Sequence, residues 1–258
     1  SILTRFSRII AGSGLNPAKI CFKQPQPENT AFHYEMFRCP LEFGCDNTML
    51  VLNLEDVVAS LPEIVFHLES FDQDLVRSAV PCYFTARIAS REVKVVLTGE
   101  GADELFAGYR YYQDYEDSDL LRQELRRSVQ SLHNVNLQRV DRMTMAHAVE
   151  ARVPFLDHRV VEAVMRMPAS WKLRGCPGKR ILRGVGAQLL PRSIVQRKKT
   201  GFAVPVGQWA AGEMREMVED LLSEASLKRR GLFEPSAVAY LRGRGAYTMF
   251  KRRQLWTL

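Results

Sequence analysis

No apolar run in the 258 residues approaches the ~20 consecutive positions that span a bilayer, and the N-terminus carries no signal-peptide pattern with a long apolar core. A cytoplasmic, membrane-free protein is therefore the expectation. Cysteine is sparse: Cys21, Cys39, Cys45, Cys82 and Cys176 are odd in number and show no CxxC spacing. Neither a disulfide framework nor a zinc site is indicated, and these read as free thiols. Low-complexity segments and internal repeats are absent too, while hydrophobic and charged fractions of 46% and 25% are ordinary for a folded domain able to bury a substantial core. Acidic residues are in deficit, 29 against 36 Lys and Arg, for a net charge of +7. The basic clusters at 122–127, 192–199, 228–230 and 251–253 are spread along the chain without a recognisable nucleic-acid module, so no nucleic-acid partner is expected.

What is present is concentrated in residues 93–112, VKVVLTGEGADELFAGYRYY. Val93, Val95, Val96 and Leu97 form a short β-branched run that predicts an interior, buried parallel strand ended by Gly99 and Gly101. Glycine lets the backbone take positive φ and lie close to a ligand, and Asp103 and Glu104 then open a helix. The turn thus gathers Glu100, Asp103 and Glu104 at the C-terminal end of a strand, where open α/β sheets hold ligands. A helix cap favoured by the helix dipole explains such a string equally well on its own.

Residues 19–22 and 47–52 are further strand candidates, 54–68 an amphipathic helix, and 81–90 a helix leading into the strand at Val93. This alternation predicts a parallel sheet. Beyond Tyr112 the pattern turns helical, at 120–132, 159–167, 179–190 (ended before Pro191) and 213–224, with a loop at 175–178.

The string T-G-E-G-A-D-E-L-F-A-G-Y closely resembles a signature of the asparagine synthetase family, whose synthetase domain has an ATP pyrophosphatase fold. Three further blocks follow that family's order: residues 63–83; Asp141, Arg142 and Met143 with residues 150–157; and Arg197, Lys198, Lys199, Thr200, Gly201 and Phe202 with Pro205 and Trp209. The resemblance runs from about Ala18 to the C-terminus and is weakest before Leu50. It implies an α/β fold with a parallel sheet of the ATP pyrophosphatase (adenine nucleotide α-hydrolase-like) type. Residues 1–115 would form the nucleotide-binding part, incomplete at its N-terminus, and residues 116–258 a largely helical C-terminal part of the same domain.

The family's reaction is acyl activation. An aspartate carboxylate attacks the α-phosphate of ATP, pyrophosphate leaves, and ammonia displaces AMP from the β-aspartyl adenylate. By resemblance, Thr98, Gly99 and Gly101 lie at the nucleotide, Asp103 is a magnesium ligand, and Glu100 handles the intermediate, accepting a proton as ammonia becomes an amide. Lys199 would neutralise charge on the α-phosphate and departing pyrophosphate, and Arg77 would face the substrate or phosphates. Part of the basic excess would then serve the site for ATP and pyrophosphate, whose metal is Mg2+ held by carboxylate. The implied partners are aspartate and ammonia from a glutaminase domain, with a homo-oligomer left open.

Other residues carry weaker signals. Glu150 and Arg152 either pair with each other or face the site. His67 reads as a core or hydrogen-bonded histidine, and Tyr109, Tyr111 and Tyr112 as packing. Two departures matter. The residues around Asp74 and Leu75 lack the hydroxyls of the familiar pattern, which puts the acyl substrate in question. The family's S-G-G-x-D-S phosphate loop does not occur, and neither does an N-terminal cysteine or glutaminase domain, so the chain reads as truncated at that loop and poor at binding Mg-ATP alone. Three functions stay open: the synthetase domain of an asparagine synthetase, a relative adenylating another carboxylate as β-lactam synthetases and lasso-peptide cyclases do, or a non-catalytic scaffold.

Overall fold

The computed structural model describes residues 17–173, 178–197 and 204–242. Two compact units divide the chain, one of residues 1–92 with 203–258 and one of residues 93–202.

The first unit opens with a small mixed sheet. Strand β1 (Lys19–Phe22), helix α1 (Ala31–Phe37), β2 (Leu41–Phe43) and β3 (Met49–Val51) follow in order, with β1 central, parallel to β2 and antiparallel to β3. Ile20, Phe22 and Cys39 bury one face, where the rings of Phe22 and Phe43 stack at 5.0 Å. Helix α2 (Leu54–Leu68) follows its predicted bounds and buries Val57, Leu61, Ile64 and Leu68, a stripe at helical spacing. It packs on α3 (Gln73–Ala89).

Helix α3 starts well before the expected residue 81. Asp72 caps it, its Oδ1 accepting the Leu75 N–H at 2.9 Å, and Leu75, Val76, Ala79 and Val80 are buried ahead of Pro81. That cap and stripe outweigh the ~3 kcal/mol an internal proline costs. Pro81 therefore lies inside the helix and does not begin it.

The second unit starts with β4 (Val95–Leu97), which pairs in parallel with β5 (Glu150–Arg152). The parallel pairing matches the expectation. The buried interior setting does not: Val93, Val95 and Leu97 are exposed, Leu97 by 74%. A parallel strand is buried by helices laid over both faces of its sheet, whereas among the described residues the element β4 mainly packs against is its ladder partner β5.

Helices α4 (Ala102–Leu105), α5 (Ser118–Ser131) and α6 (Asn136–Met145) lie between these strands. After β5 come α7 (His158–Arg166), α8 (Ala169–Leu173), α9 (Arg180–Leu189) and α10 (Arg192–Val195). Ala107, Tyr112, Leu121, Leu125 and Ala169 make one apolar cluster, and Leu105, Phe106 and Val164 another with Phe155 and Leu156 at its edge. The chain returns to the first unit with α11 (Val206–Ala211), α12 (Arg215–Leu221), α13 (Glu224–Arg230) and α14 (Pro235–Arg242). The single helix expected at 213–224 is thus two, divided where Ser223 caps α13 by accepting the Ser226 N–H. Among the described residues no helix is long and apolar enough to cross a membrane. Cys176, Lys199, Gly201 and Phe202 lie outside the described residues.

Candidate functional site

The acidic turn is built from glycine outward. The Thr98 N–H donates to Arg152 O at 2.9 Å, extending the β4–β5 ladder by one bond before the chain turns. Gly101 takes φ 86°, and a Cβ there would stand 2.3 Å from Leu156 Cδ2, so only glycine closes this turn against the apolar cluster. The position capping α4 is Gly101, with no side-chain cap bond, and α4 is one turn long. The carboxylates are instead drawn to side chains arriving from other elements.

Glu100 pairs with Arg139 of α6 through Oε1 and Nη2, both side chains mostly buried. Burial pushes the Glu100 carboxyl above the usual glutamate range; Arg139 pulls it back, and Glu104 and Asp103 push it further up. Glu104 is buried, its Oε1 accepting from Tyr109 Oη at 2.6 Å and Asn136 Nδ2 at 3.2 Å. It ties α4 to the aromatic run and to α6. Burial, then Glu104, raises the Tyr109 phenol far above its ordinary range, so this hydroxyl keeps its proton.

Asp103 lies 3.0 Å through Oδ1 from Lys179 Nζ. Three backbone details create this pair. Gly178, at φ 107°, brings its chain so close that a Cβ would stand 2.6 Å from Ala107 O. The Lys179 N–H then donates to Phe106 O at 2.9 Å, and Lys179 takes a left-handed conformation at the start of α9. Finally, a Cβ at Gly108 would sit 2.0 Å from Asp103 Oδ1 and 2.4 Å from Lys179 Cε, so the pair occupies the space glycine leaves.

Of the expected site residues, Thr98, Gly99, Glu100, Gly101 and Asp103 share this turn. Thr98 Oγ1 is buried without a hydrogen-bond partner among the described residues, as is Arg139 Nε, and a Cβ at Gly99 would meet nothing within 4 Å. Arg77 stands on α3 in the first unit, its Nη1 3.1 Å from Asp74 Oδ1. Glu150 and Arg152 pair with each other at 2.9 Å, both exposed, which resolves that alternative as an ion pair along β5. His67 is half-buried, its Nε2 3.8 Å from Glu63 Oε1, close enough for an ion pair of the protonated ring but beyond hydrogen-bond distance. Lys199 falls on undescribed residues, as does the loop around Gly201.

Sequence reasoning missed Arg139, Asn136 and Lys179. A helical arginine gave no local signal, whereas Gly178-Lys179 before a helix is a recognisable glycine-turned entry that passed as a helix start.

The turn offers two carboxylates held by cations, a buried hydroxyl and open backbone at Gly99, a donor set suited to a phosphate-bearing ligand with a hard divalent cation. A family model described as asparagine synthase matches residues 38–120 and 113–258. A second, the N-terminal arabinose-binding domain of the AraC transcription regulator, matches residues 1–61, less than half of the chain. The chain is 33% identical over 196 residues to a probable glutamine-hydrolyzing asparagine synthetase of Dictyostelium discoideum, covering 70% of this chain and 35% of that protein. It is 31% identical over 202 residues to the glutamine-hydrolyzing asparagine synthetase 3 of Arabidopsis thaliana, covering 74% and 35%. It is also 31% identical over 178 residues to the glutamine-hydrolyzing asparagine synthetase B of Escherichia coli (strain K12), covering 68% and 32%. The chain spans about a third of the length of these relatives. Since the first model takes in most of its residues, the chain belongs to the asparagine synthase family.

Proposed function

We propose that this chain carries the synthetase chemistry of its family: ATP-dependent activation of aspartate and amide formation with ammonia from a glutaminase domain. The observation that carries the reading is the pairing of Glu100 with Arg139 and of Asp103 with Lys179 on one glycine-shaped turn. In this reading Asp103 holds magnesium, for which a carboxylate oxygen is a fitting hard ligand alongside phosphates. Bound there, the metal would supply charge neutralisation to the triphosphate.

The chain's own groups supply the rest. Lys179 is a cation delivered to the same point as Asp103 and fit to move from carboxylate to phosphate oxygen. Lys199, from the undescribed segment, is proposed as a second such cation. Thr98 Oγ1 is buried with no hydrogen-bond partner among the described residues, and the open space beside Gly99 leaves its backbone accessible to a nucleotide. Glu100, with a carboxyl raised by burial, is suited to take the proton that ammonia releases as it becomes an amide. Arg139 fixes its orientation.

A second reading has its own support. The Arg77 guanidinium, which the resemblance assigns to substrate or phosphates, is met by Asp74 of this chain, in a stretch where the familiar pattern has hydroxyl residues nearby. A carboxylate other than aspartate is the substrate in that reading. Exchange of labelled pyrophosphate into ATP across a panel of carboxylates, by a protein in which this chain is joined to the family's phosphate loop, decides: exchange with L-aspartate supports the first reading, and exchange with another acid alone supports the second. Silence with every acid overturns both.

A further inference from the structure

A second cluster of reactive side chains lies in the β1–β2 sheet, in the unit that does not contain the acidic turn. The parallel register sets Cys21 of β1 beside Glu42 of β2, so both side chains rise from one face. Gly44 follows at φ 74°, a backbone position open to glycine, and folds the chain back over β1. Two bonds hold that turn, Gly44 N–H to Gln24 O at 2.9 Å and Cys45 N–H to Phe22 O at 3.0 Å. As a result the ligand atoms of Cys21, Glu42 and Cys45 all lie within 4.8 Å of one another.

The carboxylate is already divided between two neighbours. Oε1 of Glu42 accepts from Lys19 Nζ at 2.9 Å, while Oε2 faces Cys21 Sγ at 3.6 Å. Zinc–sulfur bonds of ~2.3 Å in a tetrahedron separate two sulfurs by roughly 3.8 Å, a spacing this cluster accommodates with little movement.

We propose that Cys21 Sγ, Cys45 Sγ and Glu42 Oε2 form a binding site for a zinc-class divalent cation, with the fourth tetrahedral position taken by water. Two sulfurs select such a borderline-soft ion over magnesium. Binding transfers the two thiol protons to solvent and forms two metal–thiolate bonds and one metal–carboxylate bond. The resulting charge is −3 from the ligands, +2 from the metal and +1 from Lys19, which is neutral. Lys19 keeps its bond to Oε1 and orients the carboxylate. The bound ion staples β1 to the turn after β2. Sequence spacing hides the site because its sulfurs come from a strand and a distant turn rather than from one CxxC loop.

Titration of the reduced chain with Co2+, then Zn2+, tests this. One equivalent of cobalt should give thiolate-to-metal charge transfer with the ligand-field bands of a tetrahedral ion, and one equivalent of zinc should bleach them. Cys45→Ser should abolish the charge transfer. Glu42→Gln, on an exposed side chain that leaves the core intact, should weaken binding roughly tenfold or more. A cobalt spectrum without charge transfer, an unchanged spectrum in Cys45→Ser, or unchanged affinity in Glu42→Gln would each overturn the three-ligand site.

Discussion

Glu100 and Lys172 illustrate what a single buried charge does in this molecule. Glu100 has Arg139, and breaking a mostly buried pair by removing one partner typically costs roughly 3–5 kcal/mol. Arg139→Met should therefore destabilise the chain by about that much in denaturant unfolding, and push the Glu100 carboxyl further up, since its chief opposing influence is gone. Unchanged stability would mean the pair contributes nothing net. Lys172 has no such partner among the described residues. It is 2% exposed on α8, which packs on α5 and α9, and burial, helped by Arg122, lowers its ammonium to about 8.

The sign of the Lys172 effect follows from proton counts. Below about 8 folded and unfolded chains both hold the proton, and the burial penalty is felt in full. Between there and the ordinary 10.5 only the unfolded chain holds it, so stability rises with pH, and above 10.5 the penalty vanishes. Lys172→Met should accordingly be about 3 kcal/mol more stable than the parent at neutral pH, with the advantage closing as pH rises through that window. Denaturation midpoints of both proteins across the window give the check, and a pH-independent gap contradicts it. Neither burial was legible beforehand: a lysine in W-K-L and an arginine inside a helix look like solvated charges until distant elements close over them.

Among the elements, those whose local signals agree were readable and those decided by remote packing were not. Strand β1 and helix α2 match their expected bounds, because a β-branched or amphipathic run is flanked by turn residues. Helix α3 extends past Pro81, since the Asp72 cap and a buried stripe lie outside the proline rule. The exposure of β4 depends on what covers its two faces, which periodicity cannot state. Caps can be tested directly. Asp117 Oδ1 accepts the N–H groups of Asp119 and Leu120 at the start of α5, and Asp117→Ala should cost about 1 kcal/mol of stability in thermal unfolding. The Gly178–Lys179 entry to α9 and the space at Gly108 make a sharper test. Gly108→Ala should separate Asp103 from Lys179 and remove ATP–pyrophosphate exchange while far-ultraviolet circular dichroism stays unchanged, because the atoms nearest the added Cβ are side-chain atoms of that pair. Full exchange in a folded Gly108→Ala protein would show the pair to be dispensable.

For the whole molecule, family membership was legible from four ordered motifs, while the arrangement of the candidate site was only half legible. The turn itself announced three carboxylates. Their partners, Arg139, Tyr109, Asn136 and Lys179, come from segments brought together only by folding, and they change what each carboxylate can do. Glu104 becomes a buried brace, Glu100 a carboxyl that burial pushes above its ordinary range, and Asp103 the one paired with a lysine.

If Glu100 and the Asp103–Lys179 pair carry ATP-dependent carboxylate activation, that activity depends on both. The most direct measurement is aspartate-dependent ATP–pyrophosphate exchange by a protein in which this chain is joined to the family's phosphate loop, and by its Glu100→Gln and Lys179→Met variants, each with its fold verified by circular dichroism. Exchange should be present in the parent and at least about a hundredfold lower in both variants, the scale of removing one electrostatic contact to the transition state. Exchange at the parental rate in either folded variant would contradict that dependence.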